Sequence, residues 1–160
     1  MSVSSVVHAC LLAVSLWAGT AGALDVDSGL RCPNGTIQSG SKAEGLFCRK
    51  QELRGGGMVA HGPYRSFHAN GQVAAIGQYA DGFKTGTWFF YDELGKEYSR
   101  TEFRENKYHG QRILFYSSGQ RHFVEEYRDG VKNGVVQELS EDGRVVSEAR
   151  FENGNFMPAK

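Results

Sequence analysis

From about residue 60 onward, short stretches rich in aromatic and β-branched residues alternate with polar pairs such as Asn-Gly, Asp-Gly, Ser-Gly and Glu-Asn. Glycine or asparagine interrupts the chain about every ten residues, too often for helices of any length and at the spacing of strands joined by tight turns. The pattern predicts an all-β chain.

The interruptions are periodic. Gly62, Gly86, Gly110 and Gly134 lie 24 residues apart, and Gly71, Gly95, Gly119 and Gly143 follow each of them by nine. Gly82, Asn106, Gly130 and Gly154 form a third column, asparagine being the residue other than glycine that best tolerates positive φ. Tyr79, Phe103, Tyr127 and Phe151 form one aromatic column, and Phe67, Tyr91, Phe115 and Leu139 a second. The four units are "GPYRSFHANGQVAAIGQYADGFKT" (62–85), "GTWFFYDELGKEYSRTEFRENKYH" (86–109), "GQRILFYSSGQRHFVEEYRDGVKN" (110–133) and "GVVQELSEDGRVVSEARFENGNFM" (134–157), followed by a short tail to residue 160.

Each unit reads as one β-hairpin, and a lone hairpin cannot bury a hydrophobic face. The units are therefore expected to stack into an antiparallel meander of about eight strands, an open repeat sheet in which each of the four leading glycines opens a strand. Equivalent residues form ladders across it, and the two aromatic columns are the expected core.

Residues 1–23 contain no Lys, Arg, Asp or Glu, and their apolar run ends in Ala21-Gly22-Ala23, a small-x-small pattern. This predicts a signal peptide cleaved after Ala23 and an exported protein in the periplasm, cell envelope or extracellular space. Cys32 and Cys48 then remain, and an even count in an exported chain favours one disulfide, worth about 3 kcal/mol in loop entropy. A two-thiolate metal site is the rival reading, without the CxxC spacing or nearby histidines that zinc takes. Residues 24–61 are thus expected to form an irregular disulfide-pinned hairpin, capping the first sheet edge, and a Gly-rich connector. Glu148, Arg150, Glu152 and Pro158 would blunt the other edge.

Eighteen basic and eighteen acidic residues cancel, which removes the electrostatic case for nucleic acid and for charge-driven membrane attachment. The repeating pattern GxWxxYxxxGxxxxxxxYxxGxxxG, followed from Gly86 to Gly110 with Phe103 at its second tyrosine place and Asn106 at its third glycine place, resembles the variant MORN (membrane occupation and recognition nexus) repeat, which also occurs in YwqK-type antitoxin components of toxin-antitoxin systems. The resemblance spans residues 62–157. It implies a hairpin-repeat fold and an interaction role, with a protein partner, with membrane lipid, or as antitoxin-like neutralisation of a partner protein.

No catalytic, cofactor or metal site is expected. His61 and His109 recur two repeats apart, roughly 20 Å along the sheet, and read as turn residues. Glu125 and Glu126 are neighbours on a strand and so point to opposite faces, while Asp92-Glu93 and Glu141-Asp142 fall at turns. Serines lack a nucleophile elbow, and Asn34-Gly35-Thr36 fits the N-glycosylation pattern.

The run Trp88-Phe89-Phe90-Tyr91 must send two rings to each face. If Tyr91 belongs to the buried ladder, Trp88 and Phe90 lie on an exposed face with Tyr64 and Leu114. That surface would bind a protein, stack on a sugar, or be covered by the amino-terminal hairpin. The function expected is that of a non-enzymatic exported scaffold or protein-interaction module, the alternative being an envelope module for carbohydrate or lipid headgroups.

Overall fold

A computed structural model of the chain describes residues 29–51 and 57–158. The export segment 1–23 with Ala23, and most of the Gly-rich connector, lie outside the described residues.

The described residues form one antiparallel sheet of eleven strands in sequential order and contain no helix. The strands are β1 (Thr36–Ser41), β2 (Gly45–Lys50), β3 (Ala60–Phe67), β4 (Val73–Ala80), β5 (Phe83–Tyr91), β6 (Glu97–Arg104), β7 (Lys107–Phe115), β8 (Arg121–Arg128), β9 (Val131–Leu139), β10 (Val145–Glu152) and β11 (Asn155–Met157). Eight of them, β3 to β10, are the strands expected from four repeats.

Two turn types alternate. At one end of the sheet, Asp81-Gly82, Glu105-Asn106, Asp129-Gly130 and Asn153-Gly154 make two-residue turns with positive φ at both positions, 50° and 65° for Glu105 and Asn106. Such turns match the right-handed twist of the strands they join. Asn106 thus fills the glycine column by adopting the glycine conformation. At the other end, residues 68–72, 92–96, 116–120 and 140–144 form wider loops, each closed by a hydrogen bond from the first N–H to the last carbonyl.

Successive repeats are clamped through their turns. The N–H groups of Asn106, Gly130 and Gly154 donate to the carbonyls of Lys84, Tyr108 and Lys132 in the repeat before, and that of Gly82 to Ala60 just ahead of the first repeat, at 2.8 to 3.1 Å. His61 and His109 belong to this clamp, for their Nδ1 atoms accept the N–H groups of Asp81 and Asp129 at 3.3 and 3.4 Å. At the wide-loop end, His68 Nε2 meets the Tyr91 carbonyl at 2.7 Å and the Tyr116 hydroxyl donates to that of Leu139 at 2.8 Å.

The leading glycines do not open the strands. Because the tight turns consume only two residues, β5, β7 and β9 begin three residues before Gly86, Gly110 and Gly134. Those glycines sit inside the strands beside register shifts, with φ of 64°, 103° and 134°. A bulge of this kind needs positive φ, and a side chain from the preceding strand crosses it. Glu126 folds over Gly134, and its carboxylate accepts the Val135 N–H at 3.1 Å.

The Cys32–Cys48 disulfide is present, and Cys48 is fully buried. The hairpin it pins is regular rather than irregular: β1 and β2 pair in continuous register, and β2 pairs with β3. It occupies the first repeat edge by extending the sheet, so that β1 becomes the edge among the described residues. At the other end β10 is not the last strand, because Asn155–Met157 pairs with residues 150–152 as β11.

Candidate interaction surface

Residues paired across an antiparallel ladder share a face, so the register sorts the side chains into two sets. One face carries the row Phe47, Tyr64, Gly77, Trp88, Thr101, Arg112, Glu125, Val136 and Ala149. Flanking it on the same face are the ladder Tyr79, Phe103, Tyr127 and Phe151 on one side, and Ala75, Phe90, Ser99, Leu114 and Phe123 on the other. Phe67, Tyr91, Phe115 and Leu139 alternate with these and lie on the opposite face. The two ladders expected as core therefore lie on opposite sides of the sheet, and both are half-buried.

Trp88 is buried, which corrects its expected place on an exposed face. It is 1% exposed and the largest fully buried side chain among the described residues. Its indole lies on Gly77, where an added Cβ would overlap the ring. Tyr64, Tyr79 and Phe103 surround it at centroid distances of 5.2, 5.3 and 5.9 Å, and Phe90 stacks at 6.3 Å. Small residues in the rows beside it, Ala75, Gly77, Ser99 and Thr101, give large rings room to lie down on the sheet, and all four are buried. The sheet thus builds a core within its own thickness.

Tyr64, Trp88, Phe90 and Leu114 do share one face, as the sequence suggests. Tyr64, Phe90 and Leu114 are half-buried rather than open. Edge-to-face contacts carry the aromatic band onward from Phe103 through Tyr108 to Tyr127, each step 5.2 Å. Two rings on this face are open, neither singled out from sequence: Phe156, 60% exposed, packs on its partner Phe151 at the far end at 5.9 Å, and Tyr98, 49% exposed, packs on Phe90 beside the Trp88 core at 6.3 Å. Tyr98 sits in the register shift between β5 and β6, an extra residue in the strand, so simple alternation does not locate it.

The same face changes character along the sheet. Where the second repeat has Trp88, the third has Arg112, and where the first has Gly77, the third has Glu125. Glu125 is 7% exposed. It holds Arg112 Nη1 at 2.5 Å and Lys132 Nζ at 3.0 Å, and accepts a hydrogen bond from the Tyr127 hydroxyl at 3.3 Å. Burial pushes the Glu125 carboxyl up, but the hydrogen bonds from Lys132 and Arg112 outweigh it and hold the group below the usual carboxylate range. The expectation that Glu125 and Glu126 face opposite ways is met, and the burial of Glu125 was not anticipated. On the opposite face the Arg100 guanidinium lies over Phe89 and Phe115, at 5.1 and 5.7 Å, and bonds both Glu97 oxygens. Among the described residues, no group of three or more His, Cys, Asp or Glu side chains is placed to hold a metal ion.

The family profile described as MORN repeat variant matches residues 60–81. No curated protein matches the chain. Among solved structures, the chain is similar to TarM, at 17% identity and a TM-score of 0.41, with 78% of this chain and 21% of that one covered. A mutant of S. aureus TarM in complex with fondaparinux, alpha-GlcNAc-glycerol and UDP matches at 17% identity and a TM-score of 0.42, covering 77% and 21%. The chain spans about a fifth of the length of those structures.

Proposed function

We propose that this chain is a non-enzymatic, exported repeat module that binds a protein partner through the aromatic face of its sheet. MORN repeats are commonly protein or membrane-lipid interaction modules, and the match at residues 60–81 fits a repeat scaffold. The Cys32–Cys48 disulfide is compatible with an exported protein. The observation that carries the reading is Tyr98: an aromatic ring 49% exposed, supported from below by Phe90 and the Trp88 core. A rigid, preorganised aromatic ring loses little entropy on binding, which is why such rings anchor interfaces. The test is crosslinking in the native cell with Tyr98→Ala, a surface change expected to leave the melting temperature unaltered. Loss of a specific crosslinked protein supports the reading. Unchanged crosslinks, or loss of binding to purified polysaccharide instead, would overturn it.

A further inference from the structure

The two lines of sequence Tyr79–Trp88 and Tyr127–Val136 lie two repeats apart and build the same local frame with different contents. Lys84 and Lys132 are the equivalent cations. Each Nζ stands 5.4 Å from the centroid of the equivalent phenylalanine, Phe103 for Lys84 and Phe151 for Lys132. The frames therefore superimpose in what holds the lysine from that side.

They differ in the anion. Lys132 is neutralised by Glu125 at 3.0 Å. At the place of Glu125 the earlier frame has Gly77, and at the place of Val136 it has Trp88, whose ring fills the space above Gly77. Lys84 Nζ lies 4.3 Å above the Trp88 centroid. Among the described residues it has no carboxylate and no hydrogen-bond acceptor. Trp88 Nε1, in the ring beneath it, is also buried without an acceptor. Two donors in one aromatic cluster thus lack the acceptor that the later frame contains. Burial holds the Lys84 ammonium below the usual lysine range, the direction expected of a cation partly stripped of water and given no counter-charge. A cation over aromatic faces retains some electrostatic attraction, but a nearby carboxylate supplies the stronger, charge-assisted bond.

We propose that Lys84, with Trp88, Tyr79 and Phe103 around it, is a binding site for a carboxylate side chain of an acidic polypeptide segment. The partner supplies to Lys84 what Glu125 supplies to Lys132 within the chain. A polypeptide is the occupant because the internal counterpart is itself a glutamate presented from a neighbouring β-strand. The inference rests on the interaction reading above and assigns the chemistry of one contact on that face.

The test is calorimetric titration of the intact chain with a hexaglutamate peptide, with polygalacturonate as a second arm. Lys84→Met keeps the alkyl stem and removes the charge, and it is expected to weaken hexaglutamate binding by about tenfold or more. The double variant Gly77→Glu with Trp88→Val transplants the later frame and supplies an internal carboxylate. With folding verified by circular dichroism, it is expected to lose hexaglutamate binding as well. Equal binding by the parent and Lys84→Met, no binding by the parent, or binding of polygalacturonate alone would overturn the proposal. A native crosslink lost in Tyr98→Ala yet retained in Lys84→Met would sink this inference while leaving the interaction role standing.

Discussion

The fused ring of Trp88 rests on the backbone of Gly77, one strand away, in the space where every other residue type would place its Cβ. Gly77 has no positive φ, so it is required for room and not for backbone freedom. Gly77→Ala is expected to destabilise the sheet by about 1–3 kcal/mol through overpacking, and Trp88→Ala by about 3–5 kcal/mol through loss of buried area. Urea unfolding followed by far-ultraviolet circular dichroism measures both. A Gly77→Ala protein as stable as the parent would contradict the packing described.

Removing the Glu125 carboxylate leaves Arg112 and Lys132 facing each other without an anion. Their side chains are 27% and 35% exposed, so solvent softens the loss, and Glu125→Gln is expected to cost about 2 kcal/mol. The pH dependence has a definite sign. With the folded carboxyl held below its ordinary range, the contribution is complete above the unfolded carboxylate pKa and is lost as pH falls through the folded one. Parent stability therefore declines in acid, and Glu125→Gln flattens that decline. Chemical unfolding midpoints from neutral to acidic pH provide the comparison.

Asn106 has φ of 65° and its Oδ1 accepts the Lys84 N–H at 2.7 Å. Asn106→Gly keeps the conformation and loses the bond, at about 1 kcal/mol. Asn106→Ala loses the bond and adds the strain of a left-handed alanine, for a total of about 2–3 kcal/mol. The order of melting temperatures, parent above glycine above alanine, is the readout.

Cys32→Ser together with Cys48→Ser is expected to lower stability by about 3 kcal/mol, most of it at the amino-terminal end. In a sheet where each strand is hydrogen-bonded only to its sequential neighbours, local opening need not spread. Amide exchange should accelerate in β1 and β2 and change little in β7 to β9. Uniform acceleration would mean that the hairpin and repeats unfold as one unit.

Much of this architecture was legible in the sequence because glycine marks backbone geometry directly. The columns at Gly71, Gly82 and their equivalents all adopt positive φ, so the period in sequence is the period in space. Parity along β5 was also legible: Trp88 and Phe90 do lie opposite Tyr91. What alternation does not reveal is which face is deeper. In a single-layer sheet that depends on where small residues leave room, and the signal lay in Gly77 and Thr101 rather than in the aromatics. Glu125 carried a similar signal, being a carboxylate in a column otherwise filled by Gly77, Thr101 and Ala149. Tyr98 was hidden for another reason, since a register shift displaces it from the alternation that sequence reading assumes.

The clamp from a tight turn to a carbonyl of the repeat before it makes sheet length an editable quantity. Excising residues 86–109 would join Thr85 to Gly110 and present the Gly130 N–H with the Lys84 carbonyl, in the same relation that Asn106 now has to it. Every joint would find an equivalent partner, and the sheet would shorten by two strands, roughly 10 Å. Such a chain can gain or lose reach in fixed steps through its backbone joints alone, while the side chains across the new seam change, here Gly77 facing Arg112 in place of Trp88.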